Sequence, residues 1–327
     1  MLSNDSINMK PPYKITAKIL SLVVSVSEKL GEIKTAYLHQ PPAELRKENR
    51  IKTIQASLAI EGNTMTVEQI TALLNKERVL APQKDIQEVK NAIEVYNQLD
   101  KYKPYSLTSL CHAHKVLMNG LIENPGDIRR TAVAITKGKV IAHLAPPPHL
   151  VKSQIKELLK YAESDSDILL IRSCVFHYEL EFIHPFLDGN GRMGRLWQTV
   201  LLKQEYPVFK YLPIEALIKK SQTTYYEVLS LCDKQGASTL FIEYMLEIIN
   251  EALEDLLSSQ PVNLIGEDRI QLFKGIIKEQ SFSRKEYMRH FKDISSATAS
   301  RDLRKATQEK TIEKKGDGRL TTYSFRD

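Results

Sequence analysis

Apolar residues recur every three to four positions along most of this chain, the spacing of a buried helical face. The pattern predicts a helix over 15–30, a break at Gln40-Pro41-Pro42, and a helix over 46–61 with Ile51, Ile54 and Leu58 on one face. Gly62-Asn63 stops that helix, and Thr66 is placed to cap a short one over 67–74. Helices over 85–101 and 107–118 follow, the first ended by Lys103-Pro104 and the second capped by Ser106. The period then changes. Thr131 to Ile135 and Val140 to His143 are rich in β-branched residues and flank the Gly-containing turn Thr136 to Lys139, a hairpin signal closed by Pro146-Pro147-Pro148. Two strongly apolar helical runs, 168–182 and 193–202, then bracket one short loop, and Trp197, Val200, Leu201 and Leu202 read as core. A connection over 207–212, a helix starting at Ser221 and a long helix over 237–257 come next. Ser258 to Asn263 reads as a linker. Beyond it the pattern gives helices over 270–279, 284–291 (capped by Ser283) and 295–305, then a hairpin over 311–325 with a Gly316-Asp317-Gly318 turn. Residues 1–14 show no such pattern and read as a loose terminus.

Composition changes this picture in two places. The 327 residues are 42% apolar and 26% charged, ordinary values for a soluble globular protein with room for two or three domains. The three cysteines, Cys111, Cys174 and Cys232, lie far apart in apolar helical runs. Buried free thiols therefore fit better than disulfides or a zinc site. No run approaches a membrane span and the first 14 residues are too polar for a signal peptide, so a cytoplasmic location is expected. The charge is uneven. Residues 267–327 hold 15 Lys and Arg against 10 Asp and Glu, most of the chain's net +6. A basic excess confined to one small segment points to a nucleic-acid partner.

The loop between the two apolar runs carries the densest chemistry. Over 184–195 it reads His-Pro-Phe-Leu-Asp-Gly-Asn-Gly-Arg-Met-Gly-Arg. Gly189 and Gly191 permit backbone angles that other residues resist. A glycine turn opening into a helix aims several N–H groups one way, an anion cradle aided by the helix dipole. Arg192 and Arg195, three apart, are expected to share a face and to suit phosphate oxygens. Asp188 is a hard oxygen ligand fit for Mg²⁺ on a polyphosphate, and His184 can take a proton near neutral pH. Together these predict a triphosphate site with a base beside it. Phe186 reads as an anchor packing the loop down. Gly189 to Gly194 also fits G-x-G-x-x-G, but a helical run precedes it and no strand follows, which excludes the dinucleotide fold. His112 and His114 are two apart on a helix, a poor metal pair, and read as solvated or core residues.

Residues 184–195 resemble, position by position, the Fic signature HxFx(D/E)GNGRxxR, and Fic proteins are mostly AMP transferases. The Doc kinase branch usually has Lys where this chain has Gly191. The resemblance implies a mostly α, Fic-type helical core with a β-hairpin flap over 131–143 that docks a target protein. It implies ATP as substrate with Mg²⁺, His184 as the base for a Ser, Thr or Tyr hydroxyl, and Asp188 on the metal. The Gly189-Asn190-Gly191 backbone would hold the α- and β-phosphates, and Arg192 and Arg195 the β- and γ-phosphates. Tyr226 and Leu229 are candidates to line the adenine pocket. Ser57-Leu58-Ala59-Ile60-Glu61-Gly62 resembles the inhibitory (S/T)xxxE(G/N) motif, with Glu61 expected to pair bidentately with Arg195. Domains are then expected at 1–105 (with the inhibitory helix at about 46–62), 106–260 and 264–327. The last segment, three helices and a hairpin, resembles a winged helix-turn-helix. Its third helix would carry Ser296, Thr298, Ser300, Arg301, Arg304 and Lys305 toward DNA or RNA. Rival readings are AMP removal or transfer of another group at the same site, self-modification, a DNA-binding regulator whose core is a sensor, and a homodimer built on the long helices.

Overall fold

The computed structural model describes residues 11–35, 43–137, 140–164, 167–259, 266–277, 281–291, 294–316, 318 and 321–326, with only the backbone described over 134–137 and 140–144. Residues 1–10, the Gln40-Pro41-Pro42 break, Gly138 and Lys139 of the flap turn, 260–263 of the linker and Asp317 lie outside the described residues. The chain forms two compact units, residues 1–259 and 260–327.

The first unit runs α1 (Ala17–Thr35), α2 (Ala43–Ile60), α3 (Val67–Leu74), α4 (Gln83–Asn97), α5 (Leu107–Leu117), β1 (Ala134–Lys137), β2 (Val140–Leu144), α6 (Pro148–Glu163), α7 (Leu169–Ile183), α8 (Asn190–Leu202), α9 (Ile214–Lys220), α10 (Gln222–Gln235) and α11 (Thr239–Ser259). Polar caps start elements where the sequence places them. Thr66 and Gln69 form a capping box at α3, and the Ser106 hydroxyl accepts from Ser109 N at α5. α7 is the axis of the fold. It is buried on nearly every side, so it carries no polar stripe, and Cys174, Val175, Phe176 and Leu180 are wholly enclosed. α8 packs back along it, with Trp197, Val200, Leu201 and Leu202 equally enclosed, and the Trp197 indole donates to Pro104 O at 2.8 Å.

The expected 1–105 and 106–260 segments share this unit: α1 packs along α11, and α2 lies against α9. Residues 11–14 are not loose. Pro12 O accepts from Ser238 N at 2.9 Å, and Lys14 N donates to Thr239 Oγ1 at 3.0 Å, so this segment fastens the start of α11. The linker also begins later than expected, since α11 runs through Ser258 and Ser259. β1 and β2 form an antiparallel hairpin with a register shift between Ile135 and Thr136, and β2 lies beside α10. Among the described residues no helix is long and apolar enough to cross a membrane, and the three cysteines are free thiols, Cys174 and Cys232 buried.

The second unit has α12 (Gly266–Ile277), α13 (Arg284–His290), α14 (Ser296–Gln308) and the antiparallel pair β3 (Ile312–Lys315) and β4 (Thr322–Phe325). Phe282 bridges to Tyr323 of β4. Phe273, Phe282, Tyr287, Leu303 and Ile312 form its own core. Ser283 and Glu286 make a capping box at α13, and Ser295 caps α14.

Candidate functional site

The loop joining α7 to α8 is fastened at every residue that matters to it. α7 ends on His184, which takes a left-handed conformation at φ 51° while its N–H still donates to Leu180 O. That conformation costs a residue with a Cβ about 1–3 kcal/mol unless its surroundings fix it. Arg129, buried beneath the loop, does so. Its Nε donates to His184 O at 2.7 Å, its Nη2 to Pro146 O at 2.7 Å and Ile183 O at 3.2 Å, and its Nη1 to Thr131 O at 2.9 Å. A cation there also suits the carbonyl end of α7. One residue thus ties the turn at His184 to both stems of the hairpin.

Phe186 is fully buried and lies flat on the His114 ring, centroids 3.7 Å apart. His114 Nδ1 accepts from Gly126 N at 2.8 Å, so the ring proton is on Nε2, which donates to Asp188 O at 2.9 Å. Burial pushes His114 down to about 4, so it is neutral near pH 7. Asn190 clamps the other side, its Oδ1 accepting from Phe186 N and its Nδ2 donating to Phe186 O, both at 2.9 Å. Gly189, at φ 83°, starts α8. Gly191 is helical instead. A Cβ there would sit 2.6 Å from Glu61 Oε1 and 3.2 Å from Arg195 Nη1, so any larger residue would have to displace the Glu61 carboxylate.

These residues open on a cavity of about 830 Å³. His184, Asp188, Gly189, Asn190 and Gly191 line one wall, and Glu61 and Arg195 also reach it. Tyr226 and Leu229 of α10 line the other wall, with Tyr178 and Phe182 of α7. Arg195 is an enclosed cation, its side chain 1% exposed. Nε donates to Ser57 Oγ at 3.2 Å, and Nη2 donates to Ser57 O at 3.0 Å and Glu61 Oε1 at 2.7 Å. Burial alone disfavours its charge, but Glu61, with Tyr225 and Glu181, more than compensates and holds the guanidinium above its ordinary range. The fork expected between Glu61 and Arg195 is a single prong, because Ser57 takes Nε and part of Nη2. Glu61 itself lies in the turn just past α2 rather than inside the helix.

Arg192 departs from the expected shared face. α8 begins at Asn190, so Arg192 sits in its first turn, outside the cavity lining. Its Nη1 meets Glu88 Oε1 of α4 at 3.2 Å, and its Nη2 meets Asp188 Oδ1 at 3.3 Å. Two arginines three apart diverge here, one meeting Glu61 just past α2 and the other Glu88 of α4 and Asp188 of the loop.

Sequence reasoning missed Arg129, Glu88 and Glu181. Glu181, one turn before His184, lines the cavity, and burial pushes it up to about 7, with Arg195 pulling down and Glu61 pushing up. Tyr225 OH lies 3.4 Å from Glu181 Oε1 and 3.1 Å from His177 Nε2. A charged residue in a largely apolar helix was the available signal for Glu181, shared with Arg172 and Glu179. Arg129 and Glu88 had none. His112 is solvated and His114 is core. Asp188, its side chain 57% exposed at the cavity edge, offers a hard oxygen suited to Mg²⁺. The described residues hold no group of three or more metal-ligating side chains, so phosphate and water would complete such a site.

This geometry agrees with three comparisons. The sequence model of the Fic/DOC family matches residues 104–202. The crystal structure of a Fic family protein from Desulfovibrio desulfuricans G20 is 37% identical, covers 97% of this chain and 98% of its own, and superposes with a TM-score of 0.74. The chain belongs to the Fic family. Another Fic protein, Fic-1 (aa134–508) from C. elegans, shares the fold at 20% identity, with a TM-score of 0.60 over 74% of this chain and 73% of its own. The curated relative named protein adenylyltransferase Fic from Drosophila grimshawi is 28% identical over 251 residues, 71% of this chain and 48% of the relative. Its namesake from Nematostella vectensis is 26% identical over 271 residues, 77% of this chain and 60% of the relative. This Fic chain thus spans about half the length of the curated relatives it matches.

The state of His114 has a thermodynamic consequence. Its folded pKa is about 4 against an ordinary 6.5, so the unfolded chain binds the extra proton between these values. Its contribution to stability is complete above 6.5 and is lost as pH falls toward 4, on the order of 1.4 kcal/mol per unit. Glu181, raised to about 7, works the other way, so the difference between two proteins is the measurement. From pH 6.5 to 4.5, denaturant unfolding should show wild type losing more stability than His114→Gln. Parallel curves would reject the neutral, enclosed histidine.

Proposed function

We propose that this chain binds ATP in the cavity beside His184 and transfers AMP to a hydroxyl of a protein target, restrained by Glu61. One observation carries the reading: a base and an anion cradle share a cavity with a buried arginine that a carboxylate already occupies at 2.7 Å. His184 Nδ1 donates to Glu181 O at 3.3 Å, which puts the basic lone pair on Nε2. His184 takes the target's hydroxyl proton, the oxygen bonds to the α-phosphorus, and the bond to the β-phosphate oxygen breaks to release pyrophosphate. Mg²⁺ held by Asp188 supplies charge neutralisation on the phosphates when bound. The N–H groups at the start of α8, with Gly189, Asn190 and Gly191, suit the α- and β-phosphates. Arg195 suits the γ-phosphate, and Tyr226 and Leu229 suit the adenine ring, while Arg192, outside the cavity lining, has its charge met by Glu88 and Asp188. Such catalysis is mostly positioning and charge stabilisation. β1 and β2 each pair on one edge only among the described residues, which leaves outer edges for a target segment's main chain.

Glu61 and a γ-phosphate compete for Arg195, so wild type is a weak transferase. Glu61→Gly should raise transfer from α-labelled ATP at least tenfold, about 1.4 kcal/mol in barrier. Adding Arg195→Ala should remove that gain. Equal rates for wild type and Glu61→Gly at every ATP concentration would refute the restraint.

His184→Ala in the Glu61→Gly background should keep ATP binding and lose transfer by about 10²-fold or more. Label transfer at the parent rate would remove His184 from the role of base.

A second reading concerns residues 264–327. α14 exposes Arg301, Arg304 and Lys305, and Ser295 caps its start. Lys305 pairs with Glu267, and Ser300 accepts from Arg284 Nη1 at 2.8 Å, so Arg301 and Arg304 are the better phosphate contacts. The full chain should bind duplex DNA with an affinity that falls steeply with salt, and Arg301→Ala with Arg304→Ala should flatten that slope by about two contacts. No duplex binding at low salt would leave this unit a protein-contact module.

A further inference from the structure

Arg192 is a buried cation between two carboxylates of unequal exposure. Its side chain is 5% exposed, that of Glu88 is 8%, and that of Asp188 is 57%. Glu88 is fixed through both oxygens. Oε1 faces Arg192 Nη1 at 3.2 Å, and Oε2 accepts from Asn63 Nδ2 at 2.8 Å. Asn63 is itself set by Asp85 O and Met65 N, two residues beyond Glu61. Asp188 is held differently. Its main chain is fixed by the His114 bond to Asp188 O, while its Oδ1 accepts from Gly189 N at 2.6 Å and faces Arg192, and the residue lines the cavity.

The charges of this cluster decide what Asp188 can do. Two carboxylates and one guanidinium leave one net negative charge. The burial of Glu88 and Arg192 against each other places that charge on the exposed member. Without a charge on Glu88, a buried guanidinium would have Asp188 as its one carboxylate partner in the cluster. An unpaired buried cation is costly, so the existing 3.3 Å contact would tighten into the cation's main ion pair. Asp188 would then offer a cation no net charge.

We propose that Glu88 is a positioning residue: it neutralises Arg192 from behind, and so keeps the Asp188 carboxylate available to the divalent cation that accompanies the triphosphate. The inference rests on the nucleotide reading of the cavity. The same residue, through Asn63, also ties the chain just past Glu61 to the far side of the Fic motif.

The test is calorimetric titration of ATP, with and without Mg²⁺, into the full chain carrying Glu61→Gly, and the readout is the ratio of the two Kd values. Adding Glu88→Gln, which keeps an acceptor for Asn63, should cut the Mg²⁺ enhancement about tenfold, the scale for losing a partner that orients a metal-binding carboxylate. Metal-free ATP binding, which reports a folded cavity, should persist. Adding Arg192→Gln as well should restore the enhancement, since the cation that captures Asp188 is gone. A role in folding alone would give no such rescue. An unchanged ratio in the Glu88→Gln variant, or a double variant as impaired as the single one, would overturn the proposal. If Glu88→Gln does not fold, Arg192→Gln alone decides. A ratio at or above the parent's supports the proposal, and a fall overturns it. A parent that binds no ATP at all fails the nucleotide reading first. ATP binding whose metal dependence ignores Glu88 fails this inference alone.

Discussion

A guanidinium enclosed as completely as that of Arg195 needs an anion beside it, and much of the site follows from that need. Taking one partner from a buried ion pair costs about 3–5 kcal/mol when nothing replaces it. Ser57 and Glu61 meet the need in this structure, and both come from the end of α2. That helix is therefore held against the cavity by electrostatics as well as by the apolar contacts of Ile54 and Leu58. On the nucleotide reading, the γ-phosphate brings its own anion to the same cation. The exchange then needs only the Glu61 carboxylate to withdraw, and with its side chain 31% exposed it has solvent to enter.

The second constraint is the shape of the loop. His184 sits in a left-handed turn that its own backbone disfavours, so the surroundings must hold it. Three separate devices do so: Arg129 under the carbonyls, the flat stack of Phe186 on His114, and the Asn190 clamp. All three are buried, which strengthens each polar contact and makes each expensive to lose. A base must meet its substrate within a fraction of an ångström, and a loop pinned at both flanks and from below can provide that. Arg129 also reaches Thr131 and Pro146, so the hairpin stems and the His184 turn are set by one side chain.

The two motif arginines then divide the work by burial partner. Arg195 faces Ser57 and Glu61 at the end of α2, and Arg192 faces Glu88 of α4. Glu88 and Asn63 connect these sides, because Asn63 follows the turn that carries Glu61 and bonds to the carboxylate that holds Arg192. The segment from Ser57 to Asn63 is thus joined to Arg195 directly and to Arg192 through Glu88.

Much of this was legible in the sequence. Helical periodicity placed α3 over 67–74 with its Thr66 cap, Ser106 at the start of α5, and the two apolar runs that became α7 and α8, because caps and apolar stripes are local signals. The twelve-residue signature named the cavity wall, and the Ser57 to Gly62 stretch named its occupant. Sequence left other things undecided. It put Arg192 and Arg195 on one face, whereas Glu61, just past α2, and Glu88 of α4 separate them. It gave Gly191 a conformational reason, whereas the structure makes it helical, with the Glu61 carboxylate beside it. It did not mark Arg129, Glu88 or the role of His114, and it missed α9. These depend on residues tens of positions apart meeting in a low-dielectric interior. A polar side chain that will be buried looks, in one dimension, like any solvated charge; which partner it finds is decided only when the helices pack.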